Sequence, residues 1–451
     1  MRHIRALIIG AGMGGCTLSL ALRKLNEQVQ RTGVLFTSTV FEQAPAIKPV
    51  GAGIALGPNG LSILESLGLY PKVQVFGGEV RSLQVYRDDG QKLREFDLSF
   101  IERKHGYPLL VLERAELQAL MIHEVLRPTV GSRNAERTRD ILFNKRCVGV
   151  EDLGPNLGVR AHFADGTTEK GDVLLAADGL KSVIREQLVQ QSGDKSAANG
   201  PPSLFTTFPR YSGISCVLGV TKSVPESVQG NVYWIFGPGR VYGTWSMGKQ
   251  KQYWFLGERE GFQPTNGNSN GNGSITGGGY GKGGANNGNG AGSQLWSDDA
   301  ALKGMDRMWN WFHPYDHHAM FNRTTRMVKV GMFETPWRGP WSRGNIALVG
   351  DAAHAMLPTI NQGANMAIED ACAVARALAY ETNRLSDALS RYEEFRKKRV
   401  RRLMHVARVV GFMQTTDNNF VRKMNEIAFK VAPQSIFERS MDWIMSYKDH
   451  L

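Results

Sequence analysis

Residues 5–25 read RALIIGAGMGGCTLSLALRKL, and the order of residue types in this stretch decides the fold. Ala6 to Ile9 is a short apolar run of the kind that forms a buried parallel strand. Gly10, Gly12 and Gly15 follow in the spacing G-x-G-x-x-G, and a helical apolar pattern follows them. Each glycine has its own reason: Gly10 permits a tight turn, Gly12 removes a side chain where a pyrophosphate must approach, and Gly15 lets helix and strand pack closely. The helix start then offers unpaired N–H groups and a partial positive charge to phosphate. The spacing alone is weak evidence, but here it follows a strand and opens a helix, as the mechanism requires. The stretch therefore predicts an α/β, Rossmann-like unit at the start of the chain.

Moving outward, "STVFEQA" (38–44) predicts a second strand ending at Glu42, an acid placed to accept hydrogen bonds from a ribose diol. An exposed strand-end Glu is the alternative. An acid at this place disfavours a 2′-phosphate, so FAD or NAD is the expected occupant and NADP is not. Later segments repeat the theme. "GAGIAL" (51–56) contains Gly53, and "YPLLVLERAELQALMI" (107–122) puts Arg114 in an L-x-R pattern at a helix start. "DVLLAADGLKSVIRE" (172–186) is an apolar strand ending in Asp178-Gly179, with Ser182 and Arg185 beyond. "NIALVGDAAHAMLPTINQGANMAIEDA" (345–371) runs from a strand into Gly350-Asp351, where Asp351 has a competing reading as a plain helix cap. A simple nicotinamide dehydrogenase has no need of two further strand-to-Asp motifs so far beyond Glu42.

The whole chain sets bounds on these readings. Its 451 residues suggest about two to three domains, and 42% hydrophobic with 21% charged residues suits a soluble globular protein. A net charge of +12 admits nucleic acid, an anionic membrane surface or a phosphorylated cofactor. The densest basic run, "EEFRKKRVRR" (393–402), reads as the solvated face of a long helix, with lipid headgroups or cofactor phosphate as alternatives. Cys16, Cys147, Cys216 and Cys372 are scattered, which argues against a zinc site and fits a reducing, cytoplasmic setting. "IRALIIG" is a strand of the fold rather than a signal-peptide core, and no apolar run is long enough to span a bilayer. A weak membrane-surface association through the C-terminal helices is left open; nucleic acid is not expected.

Residues 263–293, almost wholly Gly, Asn and Ser, predict a disordered surface insertion within one domain. Between 204 and 260, short β-branched and aromatic runs separated by Gly or Pro predict an antiparallel sheet. After 365 the pattern turns helical. The resulting division is a discontinuous Rossmann-like domain (1–80, 107–200 and 325–385), a β-rich substrate domain (81–106 and 201–324) and a C-terminal helical region (386–451).

Together the fingerprint, the Arg of L-x-R, the D-G motif and the G-D motif resemble the group A flavoprotein monooxygenases, the para-hydroxybenzoate hydroxylase-like family. "RYSG" (210–213) and the "GDAAHAMLP…QGANMAIEDA" block resemble its branch of zeaxanthin epoxidase and fungal secondary-metabolite monooxygenases. The resemblance implies bound FAD, with Gly10, Gly12, Gly15, Glu42, Gly53, Arg114, Asp178, Asp351, Gly363 and Ala364 as cofactor-binding residues. Glu42 would bind the adenosine ribose and Asp351 the ribitol hydroxyls. Gly363 and Ala364 would open a helix facing the pyrimidine edge of the flavin. It also implies that NAD(P)H reduces the flavin, that O2 adds at C4a, and that the hydroperoxide passes an oxygen atom to an electron-rich carbon. No metal and no nucleophilic residue is required. Tyr211 and Arg210, at the start of the β-rich part, are the candidate substrate-facing catalytic groups, although a strand Tyr is more often core. His354 is read as a packing or hydrogen-bonding residue. Asn361 departs from the family, in which the position before Gln362 is commonly small.

The aromatic content of the middle sheet, Tyr233, Trp234, Phe236, Tyr242, Trp245, Tyr253, Trp254 and Phe255, suggests an apolar small-molecule substrate. A conjugated polyene, polyketide or terpenoid yielding an epoxide or alcohol is the first reading, and aromatic-ring hydroxylation is the alternative. A flavin-dependent halogenase would carry a W-x-W-x-I-P motif, which the chain lacks. A nicotinamide dehydrogenase without flavin, or a basic binding protein, are the remaining classes.

Overall fold

The computed structural model describes residues 1–46, 53–127, 140–191, 209–222, 229–260, 310–311, 313–314, 316–335, 339–380 and 384–447. The Gly/Asn-rich stretch 263–293 lies outside these residues.

The apolar run at the amino end forms strand Arg2–Ile9, at the centre of a six-stranded sheet. Val173–Ala176 and Val34–Phe41 flank it, with Ile346–Leu348 beyond the first and Ile141–Leu142 beyond the second. These five strands are parallel; only the edge pair Ser342–Arg343 runs back against Ile346–Leu348. The register explains why the motifs matter together. Ile9 lies opposite both Phe41 and Ala176, and Ala176 lies opposite Leu348, so four strands end in one line. Gly10, Glu42, Asp178 and Asp351 each follow one of those ends. A crevice beyond the carboxyl edge is where open α/β sheets bind ligands.

Helix Met13–Asn26 covers one face of the sheet and packs against helix Gly363–Tyr380. Small residues let the two approach: a Cβ built on Gly14 would lie 3.6 Å from the Ala367 Cβ and 3.3 Å from Val349. The 30-residue helix Leu385–Gln414 packs behind Gly363–Tyr380, and helices Asn419–Val431 and Gln434–Met445 end the described chain.

A second, seven-stranded sheet takes Thr324–Glu334, Arg210–Lys222, Lys251–Arg259, Arg240–Met247, Asn231–Gly237, Ser82–Arg87 and Lys92–Asp97 in that order. It is antiparallel throughout except where Asn231–Gly237 runs parallel to Ser82–Arg87. The boundary expected between 324 and 325 falls inside its edge strand, which pairs with Arg210–Lys222, so the β-rich part runs on to Glu334. The aromatic residues of this sheet divide by alternation. Trp234, Phe236, Trp245, Tyr253 and Phe255 face cavities on one side. On the other, Tyr242 and Trp254 are buried beside Phe321, and Tyr233 pairs with Tyr86.

Candidate active site

A cavity of about 360 Å³ lies between the carboxyl edge of the parallel sheet and the inner face of the β-sheet. Gly12, Gly53, Arg114, Gly179, Asp351, Gly363 and Ala364 line one side, and Ile214, Cys216, Leu218, Trp234, Tyr253 and Phe255 line the other.

The three fingerprint glycines meet three different surroundings. Gly10 has φ +101°, and a Cβ there would lie 2.4 Å from the Ala177 carbonyl oxygen. On Gly15 a Cβ would lie 1.9 Å from the Gly10 carbonyl oxygen, so this position seats the helix on the turn. A Cβ on Gly12 would meet no protein atom within 4 Å and would instead occupy the cavity beside the helix start. Glu42 is tied into the same loop: its carboxylate accepts from Ala11 N–H at 2.8 Å and from Ala44 N–H at 2.9 Å. Each oxygen keeps a lone pair for a further donor.

At the next strand end, Asp178 has a buried Oδ1 with no hydrogen-bond partner. Burial pushes its carboxyl up, against the opposing effects of Ser182 and the Arg185 charge. Arg185 braces the two Asp loops. It donates to the Leu180 carbonyl at 2.7 Å and to the Ala352 carbonyl at 3.1 Å, so the guanidinium joins the D-G loop to the G-D turn.

Gly350, not Asp351, occupies the cap position of the short helix Asp351–His354. The Asp351 side chain is exposed to the cavity and accepts no hydrogen bond among the described residues, so the plain helix-cap reading does not describe it. Helix Gly363–Tyr380 starts at the cavity wall, where its first N–H groups have no intrahelical acceptor. Asn365 fixes that start. Its side chain donates to the Ala55 and Asn361 carbonyls and accepts from Gly57 N–H, bolting the helix to the "GAGIAL" strand. Asn361 itself has φ +53°, a left-handed conformation that Asn tolerates better than most residues, which accounts for its presence after Pro358–Ile360. Gly53 owes its size to Tyr253, whose Cγ would lie 2.6 Å from an added Cβ.

Tyr211 and Arg210 stand apart from these residues. Arg210 is exposed, the Tyr211 ring packs on Phe333 with centroids 5.3 Å apart, and neither lines the cavity. Burial, with Glu260 adding to it, pushes the Tyr211 phenol up to about 12. A register irregularity between Tyr211 and Ser215 turns the strand, so Ile214, Cys216 and Leu218 are the residues that face the cavity. The substrate-facing reading of Tyr211 and Arg210 is therefore corrected.

Sequence reasoning also missed a buried charge cluster behind the site. Asp370 accepts from Gly350 N–H at 3.0 Å and Arg396 Nε at 2.7 Å, and it bonds His354 Nε2. Glu369 pairs with Arg396 and Arg399 and accepts from Asn59 at 2.6 Å. Burial alone would raise the Asp370 carboxyl, but His354 and Arg396 outweigh it and hold it at about 2. The run "EEFRKKRVRR" is thus only partly a solvated face, since Arg396 is fully buried. The available signal was periodic: Arg396 falls on the same helical stripe as Leu389, Tyr392, Val400 and Leu403. The four cysteines are buried and none is in a disulfide among the described residues, and burial pushes the Cys16 thiol up to about 12. No helix among the described residues is long and apolar enough to cross a membrane.

Gly12 leaves room for a phosphate beside a helix start, Asp351 offers oxygens to the crevice, Glu42 is bonded to the Ala11 N–H of the glycine-rich turn, and Asp178, between the lining residues Ala177 and Gly179, holds an orphaned oxygen. These features fit a long dinucleotide. Comparison with known proteins agrees. The family described as FAD binding domain matches residues 317–407. Aurachin C monooxygenase/isomerase of Stigmatella aurantiaca is 28% identical over 418 residues, covering 92% of this chain and 91% of that protein. The FAD-dependent monooxygenase pynG of Aspergillus niger is 28% identical over 443 residues, covering 93% and 91%. Among solved structures, Klebsiella pneumoniae HpxO complexed with FAD and uric acid superposes with a TM-score of 0.76 at 21% identity, over 98% of this chain and 96% of that one. Fold, crevice and relatives agree over nearly the whole length of the chain, which is similar throughout to FAD-dependent monooxygenases.

Proposed function

We propose that the chain uses NAD(P)H and O2 to epoxidise or hydroxylate an apolar, conjugated substrate of the polyene, polyketide or terpenoid kind, in secondary-metabolite biosynthesis. The observation that carries this reading is a second cavity of about 360 Å³ adjoining the first. Leu83, Leu93, Val232, Phe236, Phe429 and Met441 line it, and it shares Trp234, Trp245, Thr359, Asn361 and Gln414 with the cofactor crevice. A chamber with such walls selects by apolar area and shape.

Bound FAD supplies the oxygen-transfer chemistry, and the chain supplies position, charge and dryness. In this reading Glu42 holds the adenosine ribose, the Gly12 turn and the following helix start hold the pyrophosphate, and Asp351 holds the ribitol hydroxyls. Arg114, on the same wall of the crevice, contacts the cofactor as well. The N-terminus of Gly363–Tyr380 stabilises negative charge on the reduced ring through its N–H groups and dipole. Trp234 and Trp245, on the shared wall, orient the substrate and keep water out. No side chain is asked to act as a nucleophile.

A second reading, hydroxylation of an aromatic ring, is favoured by the Tyr253–Phe255 pair on the cavity wall, whose ring centroids are 6.1 Å apart. One experiment separates the two. Neutral conjugated polyenes and hydroxybenzoates are each mixed with holoenzyme, NADPH and isotopically labelled O2, with binding followed separately by quenching of tryptophan fluorescence. The first reading expects quenching and one labelled oxygen atom in the polyene product. Binding and labelling confined to the hydroxybenzoates would establish the second, and a label drawn from water in every product would remove both.

A further inference from the structure

Helix Asn419–Val431 is turned the wrong way round for a helix that meets only water. Phe420, Met424, Ile427 and Val431 form one stripe at helical spacing, and their exposures are 74%, 49%, 45% and 68%. The polar residues Arg422, Asn425 and Glu426 face inward and line the apolar chamber. This orientation is held by specific bonds. Asn425 donates to the Met413 carbonyl at 3.1 Å, Glu426 lies 3.7 Å from Arg87, and Asn418 caps the helix by accepting from Phe420 and Val421 N–H. The stripe continues onto neighbouring elements through exposed Val409, Phe412 and Ile436.

Charge identifies what covers this face. Lys423 and Lys430 flank the stripe and have no ion pair among the described residues. Exposed Lys398, Arg402 and His405 extend the basic surface along the adjoining helix Leu385–Gln414. A second copy of the chain would bring two such basic rims together in a chain already at +12, whereas a bilayer carrying anionic headgroups complements both the rim and the stripe. We propose that the Asn419–Val431 face seats the protein peripherally on an anionic membrane surface, with Phe420, Met424, Ile427 and Val431 in the headgroup–acyl boundary and Lys423 and Lys430 on the lipid phosphates. This assignment stands on the surface alone and holds whichever substrate the chamber takes.

The test is co-sedimentation of the FAD-loaded full chain with vesicles of equal parts phosphatidylserine and phosphatidylcholine, and with vesicles of phosphatidylcholine alone. Binding to the anionic vesicles is expected to be at least about tenfold tighter and to weaken with salt. Phe420→Ser/Ile427→Ser is expected to weaken it by about tenfold or more, and Lys423→Glu/Lys430→Glu by a similar factor on anionic vesicles only. All four side chains are exposed and line neither cavity, so flavin content and melting temperature report that the variants are folded. Failure of the wild type to prefer anionic vesicles overturns the proposal, as does binding that survives Phe420→Ser/Ile427→Ser. A concentration-dependent dimer dissolved by that same variant would show that a second copy covers the face.

Discussion

Gly12 and Gly15 lie three residues apart and answer to different masters, the ligand and the fold. Alanine at 15 would drive a Cβ to 1.9 Å from the Gly10 oxygen, so Gly15→Ala is expected to lower apoprotein stability by about 1–3 kcal/mol, read as a fall in melting temperature. Alanine at 12 meets no protein atom. Gly12→Ala should leave the apoprotein melting temperature unchanged yet weaken FAD binding by about tenfold or more, measured by flavin fluorescence titration. Both residues were legible because the fingerprint is written locally, in consecutive positions whose steric needs do not depend on the rest of the chain. Tyr211 was not legible in that sense. Which way a strand residue points is set by register, and the irregularity between Tyr211 and Ser215 breaks the simple alternation from which a facing could be read.

At the scale of elements, the strand ends were readable for the same local reason: an apolar run meets a turn glycine at Ile9–Gly10, an acid at Phe41–Glu42, and both at Ala176–Gly179 and Val349–Asp351. The cluster of His354, Glu369, Asp370 and Arg396 was not, because its partners come from a turn and two helices that meet only in three dimensions. Arg396→Ala leaves two buried carboxylates short of their cation and is expected to destabilise the fold by about 3–5 kcal/mol in urea unfolding, whereas Lys398→Ala, two residues on and exposed, should cost little. Asp370 adds a pH dependence. Its folded-state value of about 2 lies below its ordinary 3.8, so the stabilisation is present above about pH 4 and is lost as pH falls through 4 toward 2. That linkage amounts to roughly 2 kcal/mol. Urea unfolding across this window should show the loss in the wild type and a flatter profile in Asp370→Asn.

At the scale of the whole molecule, two cavities meet at Trp234, Trp245 and Asn361, one bounded by the parallel sheet and the other roofed by the last two helices. The Phe429 ring stacks on Phe236 with centroids 5.5 Å apart and lines only the second cavity. Phe429→Ala is therefore expected to weaken uptake of a fluorescent conjugated polyene by about tenfold while leaving FAD affinity unchanged, which separates chamber from crevice. The two-part architecture was legible in the change from strand–glycine–helix patterning to short aromatic strands and then to helical periodicity. The outward apolar face of Asn419–Val431 was not, because an amphipathic pattern fixes a stripe but leaves its partner to the tertiary structure.

Four aligned strand ends build the proposed FAD crevice, in which the Asp351 side chain serves the cofactor and makes no hydrogen bond to the described residues. The most direct test is a flavin titration of apoprotein, wild type against Asp351→Ala, with apoprotein melting temperature as the control. One FAD per chain in the wild type, affinity lower by about ten- to hundredfold in Asp351→Ala, and an unchanged melting temperature are the predicted result. A wild-type chain that takes up no flavin, or an Asp351→Ala variant that binds FAD as tightly as the wild type, would contradict it.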